Sequence, residues 1–230
     1  MPSTVAVPSN VAALLLLADG RLPAGGYAHS GGLEESVRAG RVTDADSLEH
    51  FLAGRAATTG FVAASFAAAA CRASEAADAE RLCRLDQELN ARIVAPALRS
   101  ASRALGRQLL RTLVSIHPHS AFDGLRDDHH QPIVFGVAAA ALGLGSRDAA
   151  AAVLHDAVAS PAAAVVKVLS MDPFRVHAAL ARLMALLDGL ADEADEQASA
   201  PPEELPALGA PLLDIAGERH RIREGRLFAS

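Results

Sequence analysis

Residues 78–89, DAERLCRLDQEL, set Leu82, Leu85 and Leu89 at intervals of three and four, with Arg81, Arg84 and Glu88 between them. That spacing puts the leucines on one stripe of an α-helix and the charges around it. The same period recurs in both directions along the chain. Upstream, Thr43-Asp44-Ala45-Asp46 opens a helix in which Leu48, Phe51, Leu52 and Arg55 keep helical spacing, and Gly60 is expected to divide it from the next. Asn10 is expected to cap a first helix through Ala18, with Asp19-Gly20 as its stop and residues 21–30 as a loop.

Downstream, Pro96 suits the first turn of a helix that runs through Val114 and ends before His117-Pro118. A polar loop follows to Gln131, and Pro132 opens the apolar helix 133–142, which Gly143 and Gly145 close. Ser146 is expected to cap the next helix, where Pro161 should force a kink or a restart because it removes an amide donor. Asp172-Pro173 starts a further helix carrying Val176, Leu180, Leu183, Met184 and Leu187 on one side. No stretch alternates as a strand does. The fold class is therefore all-α, a single-domain bundle of roughly eight to ten helices over residues 1–192. Residues 193–210, acidic and proline-bearing, read as a linker, and residues 211–230 as a C-terminal tail.

Composition narrows the function. The 230 residues are 51% hydrophobic and 21% charged, which excludes a largely disordered chain. Alanine supplies roughly a quarter of them and tryptophan none, so the core must be thin and aliphatic. A net charge of −6 without a basic tract argues against nucleic-acid binding, which rests on phosphate neutralisation. Cys71 and Cys83 form no CxxC pair, the apolar runs fall short of a membrane span, and the first residues lack a basic signal-peptide start. A cytoplasmic, membrane-free protein is expected.

No nucleophile sits in a catalytic motif, so no enzyme is expected. His117, His119, His129 and His130 with Asp127 and Asp128 form the densest set of potential metal ligands. A small His-rich metal-binding protein or metalloenzyme using residues 117–130 is the alternative reading. Pro23, Gly25 and Gly26 shape a loop around Tyr27, the only tyrosine, and Gly31 and Gly32 follow. The loop lacks the Lys-Ser/Thr of a P-loop and follows a helix, which excludes that kind of phosphate cradle. Arg99, Arg103 and Arg107 recur every fourth residue, a stripe suited to carboxylates on a partner, and Gly106 within that helix suggests a close crossing.

Taken together, residues 14–37, LLLLADGRLPAGGYAHSGGLEESV, resemble the opening of the urease accessory protein UreF family. Leu22, Pro23, Gly25, Gly26, Tyr27, His29, Ser30, Gly32, Leu33 and Glu34 carry the match. RSASRALGRQLL at 99–110, HQPIVFG at 130–136 and PLLDI at 211–215 are similar to later family segments, as are Arg219-His220 and Arg226-Leu227-Phe228. The chain departs at 167–177, KVLSMDPFRVH, where Lys167 stands in for a family arginine and a Pro-Leu-Gly-Gln turn is missing.

The resemblance implies an all-helical, usually dimeric protein without catalysis of its own. It would bind UreD, recruit and modulate the GTPase UreG, and serve GTP-dependent nickel insertion into apo-urease. No permanent cofactor is implied, only nickel in transit, with His130 as its candidate ligand. The implied partner-binding residues are Tyr27, His29, Ser30, Glu34, Arg99, Arg103, Arg107, Lys167, Asp214, Arg219, His220, Arg226 and Phe228. Pro23, Gly25, Gly26 and Gly32 would shape the loop. The tail is expected to order against the body or a partner, burying Ile215, Leu227 and Phe228.

Overall fold

Helix starts follow the local chemistry, though not always through the expected atom. A computed structural model describes residues 10–225, 227 and 228, the Tyr27 side chain excepted. Asn10 precedes α1 (Val11–Leu17), but its side-chain amide donates to the Leu142 carbonyl at 2.8 Å instead of capping its own helix. After α2 (Leu33–Arg38), Asp44 and Ser47 close a capping box ahead of α3 (Ala45–Arg55), with Ser47 N donating to Asp44 Oδ1 at 2.9 Å. Gly60 does not separate two helices. A π turn, Ala56–Gly60, carries α3 into α4 (Phe61–Glu75) without interruption.

Asp78 caps α5 (Ala79–Arg92), and Pro96 opens α6 (Pro96–Ile116). The bundle continues with α7 (Gln131–Ala141), α8 (Ser146–Val168), α9 (Pro173–Arg182), α10 (Met184–Glu196) and α11 (Pro211–Arg221). These are eleven α-helices among the described residues, with α9 and α10 parted only by Leu183. The all-α bundle expected from the sequence is what the chain forms. Gly145, not Ser146, is the residue before α8, and Asp148 accepts its amide at 3.2 Å. Ser146 Oγ instead donates to Asp195 on α10.

Pro161 neither breaks nor restarts α8. It cannot donate to the Ala157 carbonyl one turn earlier, and Arg55 Nε takes that acceptor at 2.9 Å. The same guanidinium donates through Nη1 to the Gly31 carbonyl at 3.0 Å, so one side chain joins α3, α8 and the loop before α2.

α4 runs through the middle of the bundle, against α5, α7, α8 and α10. Ala64, Ala67, Ala68 and Cys71 on α4 face Val134, Val137 and Ala138 on α7, and small side chains let the two helices approach closely. At the crossing, a Cβ on Gly136 would overlap the Ala67 carbonyl and lie 2.7 Å from Ala70 Cβ. Leu85 and Leu89, read first from the sequence, bury with Phe66 and Ile133 in a second cluster. Each such side chain contributes roughly 1.5–3 kcal/mol. α8 is long and apolar enough to span a bilayer by composition, yet 56% of its most apolar window is inside the protein, as a core helix requires.

Residues 193–210 differ from the expected linker. α10 extends to Glu196, and Ala198, Pro202 and Leu205 are buried against the body. The reason lies on α5, where arginines supply donors to this segment's carbonyls. Arg81 Nη2 reaches Ala200 O at 2.6 Å, and Arg92 reaches Pro206 O at 3.0 Å and Leu205 O at 3.1 Å. The acidic strip is thus strapped down as far as Pro206.

Candidate functional site

The loop between α1 and α2 is set by its carbonyls and its backbone angles. Pro23 O accepts Gln108 Nε2 and Thr112 Oγ1 of α6, both at 2.8 Å. Gly25 and Gly32 have φ of +87° and +86°, where a side chain is strained, and Gly32 lies under Leu213 of α11. Gly26 opens a 3₁₀ turn, Gly26–Ala28, beside Asp156. The side chain of Tyr27 lies outside the described residues. Ser30 is buried, its hydroxyl accepting the Glu34 amide at 3.4 Å. Burial, with the nearby His220, lowers the His29 pKa.

α11 and the residues after it return to this loop. Leu213, Ala216, Gly217 and His220 are buried, with Gly217 beneath Leu98 of α6, and Glu218 accepts the Ala97 amide at 2.8 Å. Glu34, only 1% exposed, accepts Arg38 Nη2 at 2.9 Å and the backbone amides of Leu227 and Phe228 at 3.3 Å each. Glu35 accepts Arg223 Nη2 at 3.1 Å. His220 Nε2 pairs with the Phe228 carbonyl at 3.0 Å, and Lys167 Nζ stands 5.9 Å from the Phe228 ring centre. Of the three apolar tail residues expected to bury, only Phe228 does. Ile215 stays exposed because α11 turns Leu213 and Ala216 inward in its place, and Leu227, beyond the helix, is exposed as well. Arg219 faces solvent, and Arg226 lies outside the described residues.

Several cavities flank this junction, and two of them share a residue. One of about 210 Å³ is lined by Gly32, Arg55, Thr59, Asp156, Leu213 and Asp214 among others. The other, about 480 Å³, includes Asp156, Lys167, His177, Leu180 and Phe228 in its wall. Asp156 belongs to both. Burial raises its carboxyl pKa against the opposing effects of Ser160, whose hydroxyl donates to it at 2.9 Å, and Arg55. Nothing in the sequence marks Asp156 or Arg55, since their meeting depends on how α3 and α8 cross.

Two arginines of the stripe, Arg99 and Arg103, are half-buried and bonded within their own chain. Arg99 Nη1 donates to the Ile93 and Val94 carbonyls at 2.6 and 2.8 Å. Arg103 donates to the Asp128 carbonyl and to Asn90 Oδ1 at 3.1 Å, with Asp86 at 3.3 Å. Only Arg107 is exposed. Gly106 does mark a close approach, since a Cβ there would overlap the His129 carbonyl. The neighbour is the chain entering α7 rather than a crossing helix.

His130 is fully buried, its Nε2 paired with Asn90 Oδ1 at 3.2 Å and its amide donating to Asp86 at 2.8 Å. His117 and His119 instead stack on each other, with ring centres 6.0 Å apart. Among the described residues no three of His, Cys, Asp and Glu converge as a metal site. Burial, reinforced by Arg103, His129 and Arg99 and opposed by Asp86, lowers the His130 pKa to about 4. A histidine depressed in the fold leaves stability unchanged above its ordinary value of 6.5 and costs stability as pH falls from there towards 4. Urea denaturation at pH 7 and pH 5 should show a loss at the lower pH that His130→Gln reduces. An equal loss in both proteins would refute this assignment.

A family model described as UreF matches residues 42–184. The urease accessory protein UreF of Mycolicibacterium vanbaalenii is 41% identical over 96% of this chain and 100% of its own length. That of Mycobacterium sp. strain JLS is 41% identical over 94% and 97%, and that of Mycobacterium tuberculosis 37% over 96% and 100%.

Proposed function

The chain belongs to the UreF family of urease accessory proteins, which assigns it a role in urease maturation, and within that role we propose that it is a non-catalytic scaffold. It binds a UreD-like partner, recruits and modulates a UreG-like GTPase, and so supports GTP-dependent nickel insertion into apo-urease. Nickel is the cargo rather than a resident cofactor, and the scaffold acts as a homodimer.

One observation carries this reading. The family-like loop, α2 and α11 meet on a single face, joined by Glu34, Glu35, His220 and Phe228, so residues far apart in sequence form one surface. Next to it, Leu208, Leu212 and Ile215 are apolar and exposed, a patch that association with another protein would cover. A scaffold needs such a face and no nucleophile. Burial, with Glu75 nearby, pushes the Cys71 thiol up to about 12, which keeps it protonated and inert.

Co-expression with UreD-like and UreG-like partners and apo-urease, with and without this chain, tests the reading. Nickel-dependent urease activity should require the chain. Full activation without it, with the partners proven functional, would overturn the proposal.

A further inference from the structure

Helices α3 to α8 and α11 all give residues to the wall of the 210 Å³ cavity. Protein interiors rarely leave a void much larger than a water molecule. A cavity of about 150 Å³ with purely apolar walls stays dry and admits benzene. Much of this wall is of that kind, with Leu89, Leu98, Leu105 and Phe135.

Arg55 breaks the pattern. A cation inside a protein is ordinarily paired with an anion. Arg55 spends Nε and Nη1 on the Ala157 and Gly31 carbonyls, and among the described residues it forms no ion pair. Its Nη2 has no hydrogen-bond partner among those residues and lies against Gly31, also in the wall, 3.2 Å from the place of a Cβ there. Burial lowers the Arg55 pKa against the opposing effect of Asp156, so its charge is incompletely compensated. Asp156 accepts the Ser160 hydroxyl at 2.9 Å, and burial favours its uncharged form. The Thr59 hydroxyl, in the same wall, is buried without a partner among the described residues. Arg92 also reaches the cavity, but Glu88 at 2.6 Å and the carbonyls of Leu205 and Pro206 occupy it.

We propose that this cavity binds a small monocarboxylate with an apolar body of about six carbons, its carboxylate on Arg55 Nη2 and its body among Leu89, Leu98, Leu105 and Phe135. A phosphate would bring more charge and no apolar part to a wall that is mostly hydrocarbon. A plain hydrocarbon would leave the guanidinium unpaired. Asp156 in its uncharged form can donate to the incoming carboxylate rather than repel it. The inference goes beyond the scaffold reading and needs no urease partner, so its test uses the isolated full chain.

Benzoate is the probe, and benzamide its uncharged control of nearly the same shape. Titration calorimetry at pH 7 should give one site for benzoate, with benzamide weaker by at least about tenfold, the equivalent of one hydrogen bond to a charged group. Benzoate should also raise the melting temperature, because it binds only the folded chain. Arg55→Gln should weaken benzoate by at least about tenfold and leave benzamide unchanged. Arg55 also joins three segments, so a second variant serves if that one fails to fold. Ala101→Leu fills the cavity from α6 and leaves Arg55 in place. It should abolish benzoate binding with circular dichroism unchanged. Benzoate that does not bind, that binds no tighter than benzamide, or that binds folded Arg55→Gln or Ala101→Leu as well as the unaltered chain would overturn the proposal.

Discussion

Alanine at Gly136 is expected to cost about 3 kcal/mol or more, while the same substitution at Gly189 should stabilise the chain by up to about 1 kcal/mol. Both glycines sit inside helices, and both changes add a single methyl group. At Gly136 that methyl meets the Ala67 carbonyl, Ala70 Cβ and the Cys71 amide, all on the central helix α4. Backbone on one side and an alanine on the other leave no flexible side chain to move aside, so α7 must lift from α4. At Gly189 nothing lies within 4 Å of the added atom, and the gain is helix propensity. With total stability of about 5–15 kcal/mol for a domain, the Gly136 variant should show a large drop in urea midpoint. Equal midpoints for the two variants would show that the α4–α7 crossing is not at its packing limit.

Truncation after Ala210 should abolish co-purification with the proposed UreD-like partner while most helicity survives. The cut removes only α11 and the return after it. It also strips Leu213 from Gly32, Gly217 from Leu98 and Glu218 from the Ala97 amide, so the melting temperature should fall. Glu34 and Glu35 become accessible to water, and the exposed apolar residues Leu212 and Ile215 are lost. The surface assigned to the partner then lacks one of its two halves. A truncated chain that still brings down the partner at full yield would remove α11 from the interface, leaving the loop alone.

Helical periodicity made most of the body legible. Leu82, Leu85 and Leu89 predict α5, and Asp172-Pro173 starts α9 as read, while Asp44 and Asp78 also accept backbone amides at the starts of α3 and α5. The failures share a cause. Asn10 and Ser146 carry polar groups that a local reading directs to their own helix, and in the fold each is engaged by a distant segment. Residues 193–210 look extended by composition, but the arginines that hold them lie over a hundred residues earlier. The loop and tail are recognisable as segments, whereas their junction at Glu34 and Glu35 is a tertiary fact that no spacing encodes.

Arg55 has a consequence for inheritance. Pro161 leaves the Ala157 carbonyl without a helical donor, and the planar fork of one guanidinium serves that carbonyl and Gly31 together. A lysine has a single point of attachment and could not hold both in the same geometry. Positions 31, 55 and 161 therefore form one heritable character written in three places. A lineage that lost the proline would restore the helix's own donor and set the arginine loose. One that lost the arginine would carry a proline it could no longer accommodate at no cost.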